Sequence, residues 1–387
     1  MATSGVSMRW PRRAFAIIAV VLFSTVAWSH SMLRPLEEGL MTGRVAPQTS
    51  FLQAQLGGWL WYDAHWYVKL ADEGYSPADE QMFHHGRQSA AAFFPAYPLV
   101  VAGGAKVLDD AGLAAIFVTL GCGFLAAMLF WRWCRGRMGE RASKVAFGVL
   151  FLYPYAWFLY GAGYAVALFL AAALAAFLLL ESDRPLAAGL VGIIATAARP
   201  TGIILTVGLV AVMLHRRRAG TAPPQRRDWS VLISAAGVAA FSLFSWWRFD
   251  DPIAFVTNQR AWSQSQGLST WLKHDFIRAM TIHDPQWWLR LAAQGALGVI
   301  FIGASVLVFR RFGWGYGIYA LLMALVPTLA TGDFMGVGRY LLACFPTFAA
   351  LGAALSEHRR VVPVALALST ITLLLLTTQF ARGVYLS

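Results

Sequence analysis

Apolar positions fall in long unbroken blocks, at roughly 14–30, 111–131, 145–160, 163–180, 186–198, 201–214, 229–249, 291–309, 313–331, 340–356 and 361–380. Several approach the ~20 apolar residues that a bilayer-crossing helix needs. The pattern predicts an all-α polytopic membrane protein of about 11 transmembrane or partly re-entrant helices, as a single integral domain over 1–387. Composition sharpens this: 58% of the residues are hydrophobic and 13% charged, against roughly a quarter charged in ordinary soluble domains. Disorder, a secreted disulfide scaffold and a free nucleic-acid binder all fit poorly. Membrane lipids are the first expected partner and nucleic acid is not one. The three cysteines show neither pairing nor metal-ligand spacing.

The net charge of +12 is unevenly distributed. Arginines and lysines cluster at 9–13, 132–144, 184, 216–227, 310–311 and 359–360, and these clusters hold 18 of the 31 basic residues but only five of the 19 acids. The remaining connections are close to balanced, so the whole positive excess lies on one face. The positive-inside rule makes that face cytoplasmic. The N-terminus then lies inside and the C-terminus outside, in a plasma membrane. The first block also has the layout of a signal peptide, with a basic start and Ala27-Trp28-Ser29 near its end. Its cleavage would not change the sidedness of the later spans.

One position decides the span count. Residues 186–214 could form one long helix, but Arg199-Pro200 stands in the middle. A single span would place the 216–227 and 310–311 arginines outside. Two short helices with an external bend at Arg199-Pro200-Thr201-Gly202 restore the charge bias. Each half would be about 21 Å long at 1.5 Å per residue, too short to cross comfortably. A short or partly re-entrant hairpin is therefore expected, permitted where protein or a water-filled cavity surrounds the irregular backbone.

Two external segments, 31–95 and 250–290, exceed mere connectors and are rich in Trp, Tyr, His and acids. The densest stretch is Trp61-Tyr62-Asp63-Ala64-His65-Trp66-Tyr67-Val68-Lys69, continuing to Gly74-Tyr75. It predicts a short amphipathic helix with Asp63 as N-cap and Gly74 as the stop. Asp63, Trp66, Tyr67 and Leu70 share one face, His65 and Lys69 another. An interfacial helix with its aromatics at headgroup level accounts for this pattern. So does a site gripping a sugar or lipid headgroup. The His84-His85 pair reads as solvated loop histidines rather than metal ligands. Phe93-Phe94-Pro95-Ala96-Tyr97-Pro98 reads as an extended entry into the membrane, its prolines preventing an early helix.

Arg199 is expensive at a break between membrane helices unless it is paired or faces water. Its planar fork suits a phosphate, and the helix start after Thr201-Gly202 favours an anion. A lipid-phosphate anchor or a structural carboxylate pair are the plainer accounts. Thr331 to Tyr340 repeats the arrangement, with Arg339 just before an apolar helix on the external side. Asp63, Arg199 and Arg339 thus converge on one face, as a site for an anionic lipid-linked substrate requires.

The ordered motifs Trp61-Tyr-Asp-Ala-His-Trp-Tyr67, Phe93-Phe94-Pro95 with Tyr97-Pro98, Ala198-Arg199-Pro200-Thr201-Gly202, and Gly338-Arg339-Tyr340 with Phe345-Pro346 resemble those of PIG-V-type mannosyltransferases. These are membrane glycosyltransferases of the GT-C class. The resemblance runs from residue 60 to about 350 and implies a GT-C-like bundle whose large first external loop carries short amphipathic helices. It further implies a polyprenyl-phosphate sugar donor, of mannose or another hexose, and inverting transfer on the non-cytoplasmic face. Asp63 occupies the position of that family's catalytic base. His65, Trp66, Tyr67, Lys69, Tyr97, Arg199, Arg339 and Tyr340 are the matching candidates for substrate binding. The short loops and Ala/Arg-rich composition point to a bacterium, so the acceptor is expected to be a glycolipid or cell-envelope glycan.

The chemistry suits the residues. A lipid-phosphate leaving group needs cations, the acceptor hydroxyl needs a base within reach, and the transition state is oxocarbenium-like. No nucleotide-sugar fold and no acidic cluster for a metal-diphosphate stands out, so neither a cofactor nor a metal is expected. A transporter or flippase for lipid-linked sugars is the competing class, with a similar helix count, a broken helix and buried arginines.

Overall fold

The computed structural model describes residues 7–33, 55–220, 225–262, 264, 267–282 and 285–386. Those residues form helices joined by turns and irregular backbone, with no strand among them. Five helical stretches are long and apolar enough to cross a membrane. They are α1 (Arg9–Met32), α5 (Ala111–Arg135), the run 226–249 that ends in α10 (Ala236–Phe249), α12 (Pro285–Ala330) and α14 (Val361–Ala381). The turns over 337–343 and α13 (Phe345–Ser356) form a pair bent by 85°, which makes a sixth if counted as one span. Three apolar helices are shorter: α4 (Ala96–Leu108), α7 (Val166–Glu181) and α8 (Pro185–Thr196). The protein is thus an all-α polytopic membrane protein, but helix length alone does not yield the expected eleven spans.

The difference comes from broken blocks. The block at 145–160 is not one helix: α6 (Glu140–Phe151) stops at Leu152, and 152–165 is irregular yet almost wholly buried. Such backbone is tolerated at membrane depth only where protein surrounds it. Conversely, α12 joins two blocks. Its 46 residues would make a rod of about 69 Å, but Gly313 has φ +82° and breaks it. A Cβ on Gly317 would run into the Phe309 ring, and one on Gly298 would sit 2.6 Å from Thr328 Oγ1. Residues so far apart in a helix meet only if its two arms fold against each other.

The run at 186–214 is folded too. α8 ends at Thr196 and α9 (Ile203–Arg218) begins beyond a tight turn over Pro200–Gly202. Thr196 Oγ1 donates to the Ser234 carbonyl (2.5 Å) and Thr206 Oγ1 lies 2.8 Å from Ser234 Oγ. Both sides of the break thus meet one residue of the 226–235 turn.

Two expectations are corrected within the first external loop, of which residues 34–54 lie outside the described residues. Pro95 and Pro98 do not keep the chain extended: α4 begins at Ala96 and carries Pro98 in its first turn, where the missing N–H has no intrahelical partner to lose. Asp63 is not the N-cap of its helix. It is the first helical residue of α2 (Asp63–Glu73), and Tyr62 before it has φ +58°. Gly74 does stop α2, with φ +68°. The next helix, α3 (Pro77–His84), starts with a reciprocal Ser76–Asp79 capping box.

The loop is seated on the buried irregular stretch. Trp59 packs against Gly161, where a Cβ would lie 2.7 Å from its ring, and Tyr164 donates to the Trp61 carbonyl (3.0 Å). The backbone N–H of Ala96 donates to the Ala197 carbonyl (2.9 Å), tying the entry of α4 to the Arg199 break. At the opposite end of the bundle Arg137 stacks on Trp133 (4.0 Å) and pairs with Glu181, which also accepts from Tyr316 (2.7 Å). That network joins α5, α7 and α12.

Candidate active site at the ends of α2, α8 and α12

Three segments distant in sequence converge at one place: the start of α2, the break between α8 and α9, and the 331–340 turn after α12. Arg339 Nη1 donates to Asp63 Oδ2 at 2.7 Å. The pair is largely buried, with side chains 9% and 19% exposed. The Arg339 guanidinium also lies over the rings of Tyr164 (4.8 Å), Tyr340 (5.0 Å) and Phe158 (5.6 Å). Its Nη2 reaches the Tyr340 hydroxyl at 3.2 Å.

Arg199 also packs on Tyr340. Its guanidinium carbon is 5.0 Å from that ring and 5.4 Å from Phe169. The residue is only 7% exposed, yet its Nη1 has no hydrogen-bond partner. No carboxylate pairs with it among the described residues. The buried hydroxyl of Thr201, two residues on, is also without a partner. An unsatisfied buried cation is costly, and a charge-assisted bond to an oxyanion removes that cost. Two buried guanidinium groups against one carboxylate leave the site one positive charge in excess.

The remaining candidates divide. Tyr67 sits one helical turn from Asp63, with its ring edge-on to Tyr97 (5.1 Å) and Tyr164 (6.3 Å). Burial raises its pKa, as does the nearby Asp63, while Arg339 and Arg199 oppose the shift. Tyr97 lies one layer behind, its hydroxyl held by the Ala115 carbonyl (2.9 Å) and Thr119 (2.8 Å). Trp66 stacks on Phe93 (5.6 Å) and meets Trp262 edge-on (6.0 Å), so its ring joins the two external segments. Lys69 points away from Asp63 into an ion pair with the buried Asp79 (2.7 Å). Burial alone would push the Asp79 carboxyl up, but bonds from Lys69 and Ser76 pull it below its usual value. His65 faces Lys69 and Glu73, and burial followed by Lys69 lowers its pKa. His84 and His85 are exposed. The structure therefore gathers Asp63, Tyr67, Arg199, Arg339 and Tyr340, and leaves His65, Trp66, Lys69 and Tyr97 outside that group.

Sequence reasoning missed Phe158, Tyr164 and Phe169, which lie inside apolar blocks, and Tyr385. The Tyr385 ring packs on Tyr62 (4.6 Å), and burial, with Asp63 next, raises its pKa. Its position beyond the last basic cluster, on the face assigned to Asp63, was the available signal.

Residues of the 250–290 segment bond to the end of α12 and the 331–340 turn. Gln264 accepts from the Gly332 N–H (2.8 Å) and donates to Asp333 (3.3 Å). Lys273 stands just before α11 (His274–Ile282). Its ammonium donates to the carbonyls of Thr328, Leu329 and Thr331 at the end of α12. Asn258 bonds the backbone of Ser89 and Arg87, which ties the 250–290 segment to the 31–95 segment, and Arg248 at the end of α10 pairs with Glu80. No group of acids, histidines or cysteines able to hold a metal occurs among the described residues.

No protein-family model matches the chain, and no curated protein matches it. Solved structures do. The Archaeoglobus fulgidus oligosaccharyltransferase in complex with Zn and sulfate aligns at 15% identity, over 94% of this chain and 52% of that one, with a TM-score of 0.44. The oligosaccharyltransferase AglB of the same organism, in complex with an inhibitory peptide and a dolichol-phosphate, aligns at 12% identity over 96% and 56%, with a TM-score of 0.47. The chain spans about half the length of these structures.

Proposed function

We propose that this protein is a membrane glycosyltransferase of the GT-C type. In this reading it moves a hexose, mannose first among them, from a polyprenyl-phosphate donor to a glycolipid or cell-envelope acceptor on the non-cytoplasmic face. The observation that carries the reading is the buried, unpaired Arg199 beside the unpartnered Thr201 hydroxyl, next to the Asp63–Arg339 pair. That arrangement suits an anion, and a lipid phosphate bound there brings its sugar near a carboxylate.

Arg199 binds the donor phosphate and takes up the negative charge that grows on it as the bond from the anomeric carbon to the phosphate oxygen breaks. Asp63 Oδ2 is held by Arg339, which leaves Oδ1 to accept the proton of the acceptor hydroxyl as the new glycosidic bond forms. Attack from the face opposite the phosphate inverts the anomeric carbon. Tyr340 packs against both guanidinium groups, and Tyr67 lies beside Asp63. His65, Trp66, Lys69 and Tyr97 contribute by holding the loop, with Trp66 at its open edge. No metal or cofactor has a role in this scheme.

The test is incubation of purified protein with a panel of polyprenyl-phosphate sugars and release of polyprenyl phosphate as the readout. Asp63→Asn keeps the size and much of the hydrogen bonding of the side chain but cannot take the proton. Turnover should fall by roughly 10²–10⁴ while the protein stays folded. A variant working at the wild-type rate removes Asp63 as base. Sugar crossing the bilayer with no lipid phosphate released identifies a transporter instead.

A further inference from the structure

The two halves of the Asp63–Arg339 pair come from opposite ends of the chain, and both are tied to one short segment. The residue before Asp63 is Tyr62, whose backbone (φ +58°, ψ −118°) is a conformation that side-chain-bearing residues rarely adopt. Such strain persists only where the surroundings enforce it. Here the Tyr62 hydroxyl donates to the Gly383 carbonyl, its ring packs on Tyr385 at 4.6 Å, and Trp61 Nε1 donates to the Ala381 carbonyl at 3.2 Å. The residue before Arg339 is Gly338, whose N–H donates to Gln294 Oε1 at 3.1 Å. Gln294 is fully buried in the first arm of α12, and its Nε2 donates to the Leu386 carbonyl at 3.3 Å. The Tyr385 ring also stacks on Trp287, near the start of that arm. Carbonyls of residues 381 and 383 thus hold the residues before Asp63 directly, and that of residue 386 holds the residue before Arg339 through Gln294.

We propose that residues 381–386 act as a splint that keeps Asp63 and Arg339 in register, with Tyr62 and Gln294 as its two positioning residues. Neither side chain touches a reacting group in this scheme. Each fixes the backbone beside one member of the Asp63–Arg339 pair. The kinetic consequence rests on the transfer reading above: a base displaced by a fraction of an ångström still permits donor binding but slows proton transfer.

The experiment has two arms, one independent of activity. In the first, Tyr62→Phe removes only the hydroxyl and keeps the ring packing, and Gln294→Met removes both amide bonds at similar volume. Each should lower kcat by roughly 10-fold or more with donor KM nearly unchanged. In an Asp63→Asn background neither should lower the residual rate further, because a residue acting through Asp63 loses its effect with it. A loss carried by KM, an additive loss in that background, or a kcat close to wild type overturns the proposal. If Gln294→Met fails to fold, Tyr62→Phe carries this arm alone. In the second arm, Asp63→Cys and Arg339→Cys are bridged by a short bis-alkylating reagent such as a dibromoalkane, each thiol displacing one bromide and losing its proton, with Cys122 replaced. Adding Tyr62→Phe should slow bridging several-fold, and an unchanged rate overturns the splint. If the wild-type protein releases no lipid phosphate, the transfer reading fails and the bridging rates alone decide this inference.

Discussion

Arg199 and Arg339 are equally buried, at 7% exposure each, and both lie 5.0 Å from the same Tyr340 ring. They differ in what answers their charge. Arg339 has Asp63 at 2.7 Å, whereas Arg199 has aromatic faces and an unpartnered Nη1. One arginine has its counter-charge within the protein, and under the proposed function the other would meet it on a donor phosphate. Equal burial therefore does not separate the two; the partner does.

The comparison is best broken by removing each charge in turn. Arg339→Leu strands the Asp63 carboxylate and should destabilise the protein by about 3–5 kcal/mol, the usual cost of breaking a buried pair, read as a fall in thermal midpoint in detergent. Arg199→Leu should do the opposite. With no ion pair lost and a buried charge removed, ligand-free stability should stay level or rise, while donor turnover disappears. Arg199→Lys should retain the charge but weaken donor binding, since a point charge loses the two-pronged geometry. If both leucine variants destabilise alike, Arg199 has a partner of its own and the distinction falls.

A smaller effect separates ring from hydroxyl at Tyr340. Tyr340→Phe keeps the surface shared by the two guanidinium groups and loses only the 3.2 Å contact with Arg339, so thermal stability should drop by about 1 kcal/mol. The smallest effect concerns the Lys69–Asp79 brace between α2 and α3. Asp79 binds its proton less tightly when folded than when unfolded, so its contribution is present above the usual value of 3.8 and lost as the pH falls below it. The stability gap between wild type and Asp79→Asn should shrink on acidification through that range. A gap that stays constant means that the brace adds nothing to the stability of the loop.

Long-period information was legible in the sequence. Apolar blocks and their basic flanks predict the helical membrane architecture, and Arg199-Pro200 marks a real break. Asp63, Arg199 and Arg339 stand out as charges too expensive to be idle, which is a local argument. What was not legible has one cause. The partners that Lys69 and Tyr97 meet in the structure, Asp79 and Thr119, depend on contacts between helices that periodicity does not encode. Residues 152–165 read as ordinary membrane helix because an irregular buried stretch has the same composition as a regular one. Tyr62 could not be read at all, since nothing in its neighbours announces a positive φ.

The fold of α12 about Gly313 bears on how tightly its two arms are coupled. They share a turn of essentially one residue, and a Cβ there would strike the His215 imidazole. A hairpin this tight leaves no slack between the arms, so the placement of one sets the placement of the other. One alanine inserted after Gly313 would turn the second arm by about 100° relative to the first. That arm runs on to the turn carrying Arg339, so an error made at Gly313 would be delivered to the far end of the arm.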